Sequence, residues 1–179
     1  MVKNGTFPIW NPYHLNGHPL FATLQPGVFY PPSILYLFLP FDLAFNYIIV
    51  IHYFLAGFFT FLLLRCLKAS YGASLISAIT FMLSGYLLSV HNLLTHLLSV
   101  AWVPLVFLLF LKGLQEIPPH PNPLPQGERK GVGGGLKFII FSALAACAMF
   151  LGGGVEIVYV TIAMVCLLTF FLGKIHWHG

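Results

Sequence analysis

Residues 42–66 read DLAFNYIIVIHYFLAGFFTFLLLRC. Crossing the hydrocarbon core of a bilayer takes about 20 apolar residues of helix, and this run is long enough. Asp42 and Arg65 stand at its two ends, and the histidine within it, His52, falls near mid-membrane. Similar runs follow. Residues 73–90 are softened by Ser74, Ser77, Ser84 and Gly85, and residues 93–111 carry His96 near the start and Pro104 in the middle. Residues 136–151 are shorter, but Lys137 can snorkel and extend them. Residues 155–172 form the last run, joined to the fourth by Gly152-Gly153-Gly154, so a re-entrant hairpin is the alternative to two full crossings. The expected fold is an all-α polytopic transmembrane bundle of about five spans.

Composition agrees. Of 179 residues, 8 are Lys or Arg and 4 are Asp or Glu, so 7% are charged, against about 25% in a soluble domain. Hydrophobic residues make up 59%. A disordered chain, a disulfide scaffold and an ordinary soluble enzyme are excluded, and no basic stripe exists to engage nucleic acid. Cys66, Cys147 and Cys166 all lie in apolar runs, with neither metal-ligand nor disulfide spacing.

Arg65, Lys68, Lys112, Arg129, Lys130, Lys137 and Lys174 fall on one side if five spans alternate, leaving Lys3 on the other. Basic residues mark the cytoplasmic face. Residues 1–41 are then an extracytoplasmic, Pro-rich loop, with a short helical turn at 33–39 in the interface beside Tyr30 and Tyr36. Residues 42–112 hold three transmembrane helices, 113–135 a cytoplasmic linker, and 136–174 two helices or a hairpin. The linker includes PPHPNPLPQGERKGVGGG (118–135), Pro-rich and then Gly-rich. It has no apolar periodicity, so it is expected to be disordered and 117–135 to be dispensable. It also resembles a translated bacterial intergenic repeat. The loop 1–41 has no signal-peptide pattern, so the chain is expected to be a fragment lacking an upstream transmembrane helix.

The amino-terminal loop resembles the bacterial YfhO-type membrane proteins, similar to the C-type glycosyltransferase superfamily. Gly5, Phe7, Pro8, Trp10, Asn11, Pro12, Tyr13, Gly17, Pro19 and Leu20 match a G-x-[FL]-P-x-W-N-P-Y-x-x-x-G-x-P-L segment. Gln25, Phe29, Tyr30, Pro31 and Pro32 resemble a Q-x-x-x-[FY]-P-P segment with one extra aromatic residue before the two prolines. Weaker echoes cover 51–65, 83–105 and 153–156, with Gly154 and Val155 in place of a His-Pro pair. The resemblance implies a multi-pass protein of the bacterial inner membrane that takes sugar from a polyprenyl-phosphate carrier on the outer face, with no cofactor. It also implies an acidic catalytic base on the first outer loop. Residues 1–41 contain no Asp or Glu, so the base is expected upstream of Met1 and the fragment is expected to be inactive alone.

Sugar transfer needs a polar outer pocket with groups that hydrogen-bond or stack on the substrate. The topology puts Trp10, Asn11, His14, Asn16, His18, Gln25, His91, Asn92, His96 and Glu156 outside. Of these, Trp10, Asn11, Gln25, His91, Asn92 and Glu156 are the expected substrate-binding set. The plainer readings are that Asn11 and Asn16 form turns, that Trp10 and the tyrosines form an interfacial belt, and that Glu156 is merely interfacial. His14 and His18 have helical i, i+4 spacing, but Pro12 and Gly17 oppose a helix there, so no metal is expected. His52 is either functional at its depth or a neutral core histidine bonded to a neighbouring helix. A transporter or channel subunit is the competing class; it would show broken helices and midplane ionisable groups. A degenerate fragment is the third possibility.

Overall fold

Pro40 separates the amino-terminal segment from the first long helix. Before it, a 3-10 turn (Pro31–Ile34) continues into α1 (Leu35–Phe38); after it, α2 spans Phe41–Cys66. Proline has a fixed φ and no donor, which suits the position ahead of a first helical turn. Asp42 in the first turn and Arg65 in the last complement the partial charges of the helix ends. The computed structural model describes residues 9–11, 17–19, 29–90, 92–116 and 129–177, and of these the side chains of 11, 18, 129–133 and 172–177 are not described.

A tight turn reverses the chain after α2. Lys68 takes a positive φ of 63°, the Ala69 amide donates to the Leu64 carbonyl at 3.0 Å, and Arg65 Nη1 donates to the Ala69 carbonyl at 2.6 Å. Ser70 then caps α3 (Tyr71–Met82) by accepting the Ala73 amide at 3.3 Å. The Arg65 guanidinium lies 3.7 Å over the Tyr71 ring, tying the two helix ends together. Gly57 of α2 meets Met82 of α3, where an added Cβ would lie 3.2 Å from the sulfur.

The chain breaks at Leu83–Ser84 and resumes as α4 (Gly85–Val90), then α5 (Leu94–Val100), α6 (Val103–Glu116), α7 (Arg129–Leu151) and α8 (Val155–Trp177). Four stretches among the described residues are long and apolar enough to cross a membrane: Phe41–Cys66, Tyr71–Val90, Leu94–Glu116 and Gly134–Leu151. The described apolar part of α8, Val155–Phe171, is shorter. Half of the Leu94–Glu116 window is buried, against 22% of each of the other three, so α5–α6 is the central strut. Its neighbours turn large apolar side chains such as Phe54, Ile76, Phe141 and Tyr159 outward, as a lipid-facing surface requires.

Three contacts fix the register against the strut. Gly113 meets Ile139, Ser142 Oγ donates to the Val106 carbonyl at 3.0 Å, and Ser99 Oγ donates to the Met149 carbonyl at 2.8 Å. As one number falls the other rises, so α6 and α7 are antiparallel. Tyr30, Ile48, Leu94, Leu98 and Leu151 pack together at one end of the bundle. Arg65, Lys68, Lys112 and Lys137 lie toward the other end, by chain direction.

The architecture is the expected all-α bundle, with local differences. The third run is two helices rather than one, and the break falls at Ala101–Trp102. Pro104 is the second residue of α6, where its missing donor costs nothing. Helical structure also enters both ends of the segment read as a 113–135 linker, because α6 reaches Glu116 and α7 begins at Arg129. The physical reason is close packing. A Cβ on Gly113 would lie 2.7 Å from the Ile139 side chain and 3.1 Å from the Gly135 carbonyl, so glycine here lets two helices approach. The stretch 117–128 lies outside the described residues. Part of the amino-terminal loop is a small antiparallel ladder, Trp10–Asn11 with His18–Pro19, rather than helical turns.

Candidate functional site

The helical repeat sorts the amino-terminal half of the strut into two faces. Leu94, Leu98 and Trp102 recur at i, i+4, i+8 and face the amino-terminal segment. His96, Val100 and Val103 face α8 and line a cleft of about 390 Å³ with Phe81, Tyr86, Glu156, Ile157, Val160 and Thr161. Most of this lining is apolar. The imidazole and the carboxylate in it belong to His96 and Glu156, whose Nε2 and Oε2 lie 3.7 Å apart, with side chains 27% and 73% exposed. A pair this open contributes about 0–1 kcal/mol to stability, so its placement matters more than its strength. Thr95 Oγ1 lies 3.4 Å from His96 Nδ1 on the other side of the ring.

Glu156 is held by the turn before it. Gly153 has a φ of +90°, and the Gly154 amide donates to Ser99 Oγ at 2.9 Å while that hydroxyl donates to Met149. A Cβ on Gly154 would lie 2.6 Å from Ser99 Oγ. The Gly-rich turn therefore seats the first turn of α8 against α5. This also sets Glu156 beside His96.

No family model, no curated protein and no solved structure matches this chain.

Of the expected binding set, the side chains of Trp10, Asn92 and Glu156 are described. Glu156 lies in the cleft. Asn92 is exposed in the turn between α4 and α5, and Trp10 is 54% exposed in the short ladder, where its indole covers Gly17. Neither Trp10 nor Asn92 lines the cleft. Asn11 pairs with His18 in the ladder, and its side chain is not described; Gln25 and His91 lie outside the described residues. His96 is the residue that the expected set left out, although its spacing with Val100 and Val103 marks the face that meets α8. No group of three or more metal-ligating side chains occurs among the described residues.

His52 turns out to be a fully buried histidine with both ring nitrogens engaged. Its Nδ1 lies 2.6 Å from the Ile48 carbonyl and its Nε2 lies 2.5 Å from the Tyr30 hydroxyl. Trp102 Nε1 donates to that same hydroxyl at 2.7 Å. Burial pushes the Tyr30 hydroxyl up to about 12, against a smaller downward pull from the Trp102 hydrogen bond.

Proposed function

We propose that this integral membrane protein handles a polyprenyl-phosphate-linked sugar at the outer face of the bacterial inner membrane, as a glycosyltransferase-like component. The observation that carries the reading is the amphipathic cleft between α5, α6 and α8. Its walls are apolar along the membrane-facing helices and its polar groups gather at His96–Glu156, which suits a ligand with a hydrocarbon tail and a hydroxyl-rich head. The resemblance of Gly5–Leu20 and Gln25–Pro32 to YfhO-type proteins names the sugar-lipid class. In this reading Glu156 accepts hydrogen bonds from sugar hydroxyls, and His96, held by the carboxylate, donates to or accepts from the head. Tyr86 offers an aromatic face at the cleft edge.

The test is photolabelling of the purified chain in lipid nanodiscs with a photoreactive polyprenyl-phosphate sugar. Labels are expected on peptides covering 96–103 and 156–161, and unlabelled polyprenyl phosphate should compete them away. Equal labelling of those peptides by a photoreactive phospholipid, unaffected by the competitor, would overturn the reading.

A transporter subunit is the second reading, and two observations favour it: the breaks at Leu83–Ser84 and Ala101–Trp102, and the buried His52. Broken helices in transporters leave backbone groups open to a substrate. Here Tyr53 donates to the Leu87 carbonyl at 2.8 Å, and the Trp102 amide donates to the Ser99 carbonyl at 3.1 Å. Solute uptake by proteoliposomes of the chain would favour this reading over the first.

A further inference from the structure

The hydrogen-bond chain through His52 has a direction, set by its two ends. The Ile48 carbonyl only accepts and the Trp102 indole only donates. His52 Nδ1 must therefore carry its hydrogen toward Ile48, leaving Nε2 as the acceptor. Tyr30 must then donate to Nε2 and receive from Trp102. The sequence Trp102→Tyr30→His52→Ile48 is complete with a neutral imidazole and a protonated phenol, and with no other arrangement of protons. Such a chain cannot pass a proton along, because returning it would strip the indole N–H.

The chain also joins separate elements. Tyr30 belongs to the segment 29–38, which packs on α2 and the strut; His52 lies in the body of α2; Trp102 lies at the break between α5 and α6. Tyr30 is 2% exposed, but the rest of the segment is largely at the surface, with Phe38, Ile34 and Leu37 outward. One buried phenol on a largely exposed strap is the anchor. The other groups packed around Tyr30 are Ile48 from α2, Leu94, Leu98 and Trp102 from the strut, Leu151 from α7, and Leu35 and Tyr36 from the strap itself. Among the described residues no carboxylate or cation faces His52; Tyr30 is the titratable group against it.

We infer that the segment 29–38 is a strap latched to the outer end of the bundle by the one-way Trp102–Tyr30–His52 chain, and that a proton on His52 unlatches it. A second proton turns Nε2 into a donor. Tyr30 oxygen then faces two donors, Nε2 and the Trp102 indole, and its own hydrogen has no acceptor. A buried hydroxyl without an acceptor is unfavourable, as is a buried cation without a counter-charge. Both penalties end when Tyr30 leaves the socket and water enters. Acidity on the outer side would thus lift the strap from the strut, on the face of α5 opposite the His96–Glu156 cleft.

The test is a distance measurement between spin labels on Phe38→Cys and Ser89→Cys, in a Cys66→Ser, Cys147→Ser, Cys166→Ser background, in nanodiscs. At about pH 7.5 the distribution should be narrow, and at about pH 5 a second, displaced population should appear. Tyr30→Phe should show the displaced population at both pH values. His52→Gln keeps an acceptor for the Tyr30 hydroxyl but takes no proton, so it should stay narrow at both. An unchanged wild-type distribution at about pH 5 would overturn the proton dependence. A narrow distribution in Tyr30→Phe would overturn the latch itself. A displaced population in His52→Gln at the lower pH would assign the movement to another group and overturn the role of His52.

Discussion

Ser99 Oγ bridges the turn between the last two helices, accepting the Gly154 amide at 2.9 Å and donating to the Met149 carbonyl at 2.8 Å. One buried hydroxyl on the central strut thus satisfies a donor at the start of α8 and an acceptor near the end of α7. Without it both groups would be left unpaired in a region where no water can replace it. The same contact explains why the turn is glycine, since Gly152 and Gly154 both press their α-carbons against Ser99 and Gly153 has a positive φ.

Gly154→Ala should lower stability by about 1–3 kcal/mol, the usual cost of forcing a methyl into a packed core. The new Cβ would sit 2.6 Å from Ser99 Oγ and 3.0 Å from the Thr95 carbonyl. Ser99→Ala should cost a similar amount, about 1–3 kcal/mol, by orphaning a buried amide. Gly72→Ala, which would meet nothing within 4 Å, is the control. Denaturant unfolding in detergent reads all three, and a Gly154→Ala variant as stable as Gly72→Ala would contradict the packing.

Gly113→Leu should separate α6 from α7. Nothing larger than hydrogen fits between Gly113 and the Ile139 side chain. Replacing 118–127 with a short Gly/Ser linker should be tolerated, whereas extending the replacement into 129–135 should not, because α7 starts at Arg129. Protease resistance of the purified variants distinguishes the cases. Equal resistance after removal of 129–135 would show that this turn of α7 supports nothing.

Cysteine labelling in intact cells tests the orientation. Placed in a background without native cysteines, Asn16→Cys should react with an impermeant reagent and Gln126→Cys should not. The warrant is the gathering of Arg65, Lys68, Lys112 and Lys137 toward one end of the bundle. Reaction at position 126 would invert the topology and move the His96–Glu156 cleft to the cytoplasmic face.

Tyr30 gives an alkaline signature. Its hydroxyl is pushed from 10.0 to about 12 when seated, so the latched state holds the proton more tightly than the unlatched one. The Tyr30 proton therefore favours seating fully below about pH 10, down to the acid range where His52 takes its proton, and this contribution weakens as pH rises from 10 toward 12, by up to about tenfold per unit. Phenolate absorbance of the wild type minus that of Tyr30→Phe should titrate late. A difference spectrum with its midpoint near 10 would contradict a buried Tyr30.

The helices were legible from apolar run length alone, because a membrane helix must satisfy its backbone internally and so announces itself by composition. The 42–66 run matches the helix Phe41–Cys66, and the turn expected at 33–39 falls on Pro31–Ile34 and Leu35–Phe38. Breaks and boundaries were less legible. In LTHLLSVAWVPL the local signal for a break is Pro104, which has no amide to donate to the Val100 carbonyl; the bond from Trp102 at the break to Tyr30, 72 residues away in sequence, is not written in the stretch. GVGGG reads as a linker by propensity, but glycine that costs stability in water lets helices pack closely in a bilayer. At the site, Glu156 was legible as a carboxylate at the start of the last apolar run. His96 was legible as a polar group on the same side, but its pairing with Glu156 was not, because the pairing follows from how the Gly-rich turn seats α8 on α5.

The central claim is that the cleft at His96–Glu156 takes a lipid-linked sugar, and retention of a radiolabelled polyprenyl-phosphate sugar by the chain in nanodiscs tests it most directly. Val160 lines the cleft and is exposed, so Val160→Trp should fill the space without disturbing the core. Wild type should show saturable retention that unlabelled carrier competes, and Val160→Trp should lose about tenfold or more in affinity, a difference of about 1.4 kcal/mol or greater. Glu156→Gln should weaken retention of the sugar-bearing lipid more than that of the bare carrier. Wild-type retention in a folded Val160→Trp variant would contradict the account.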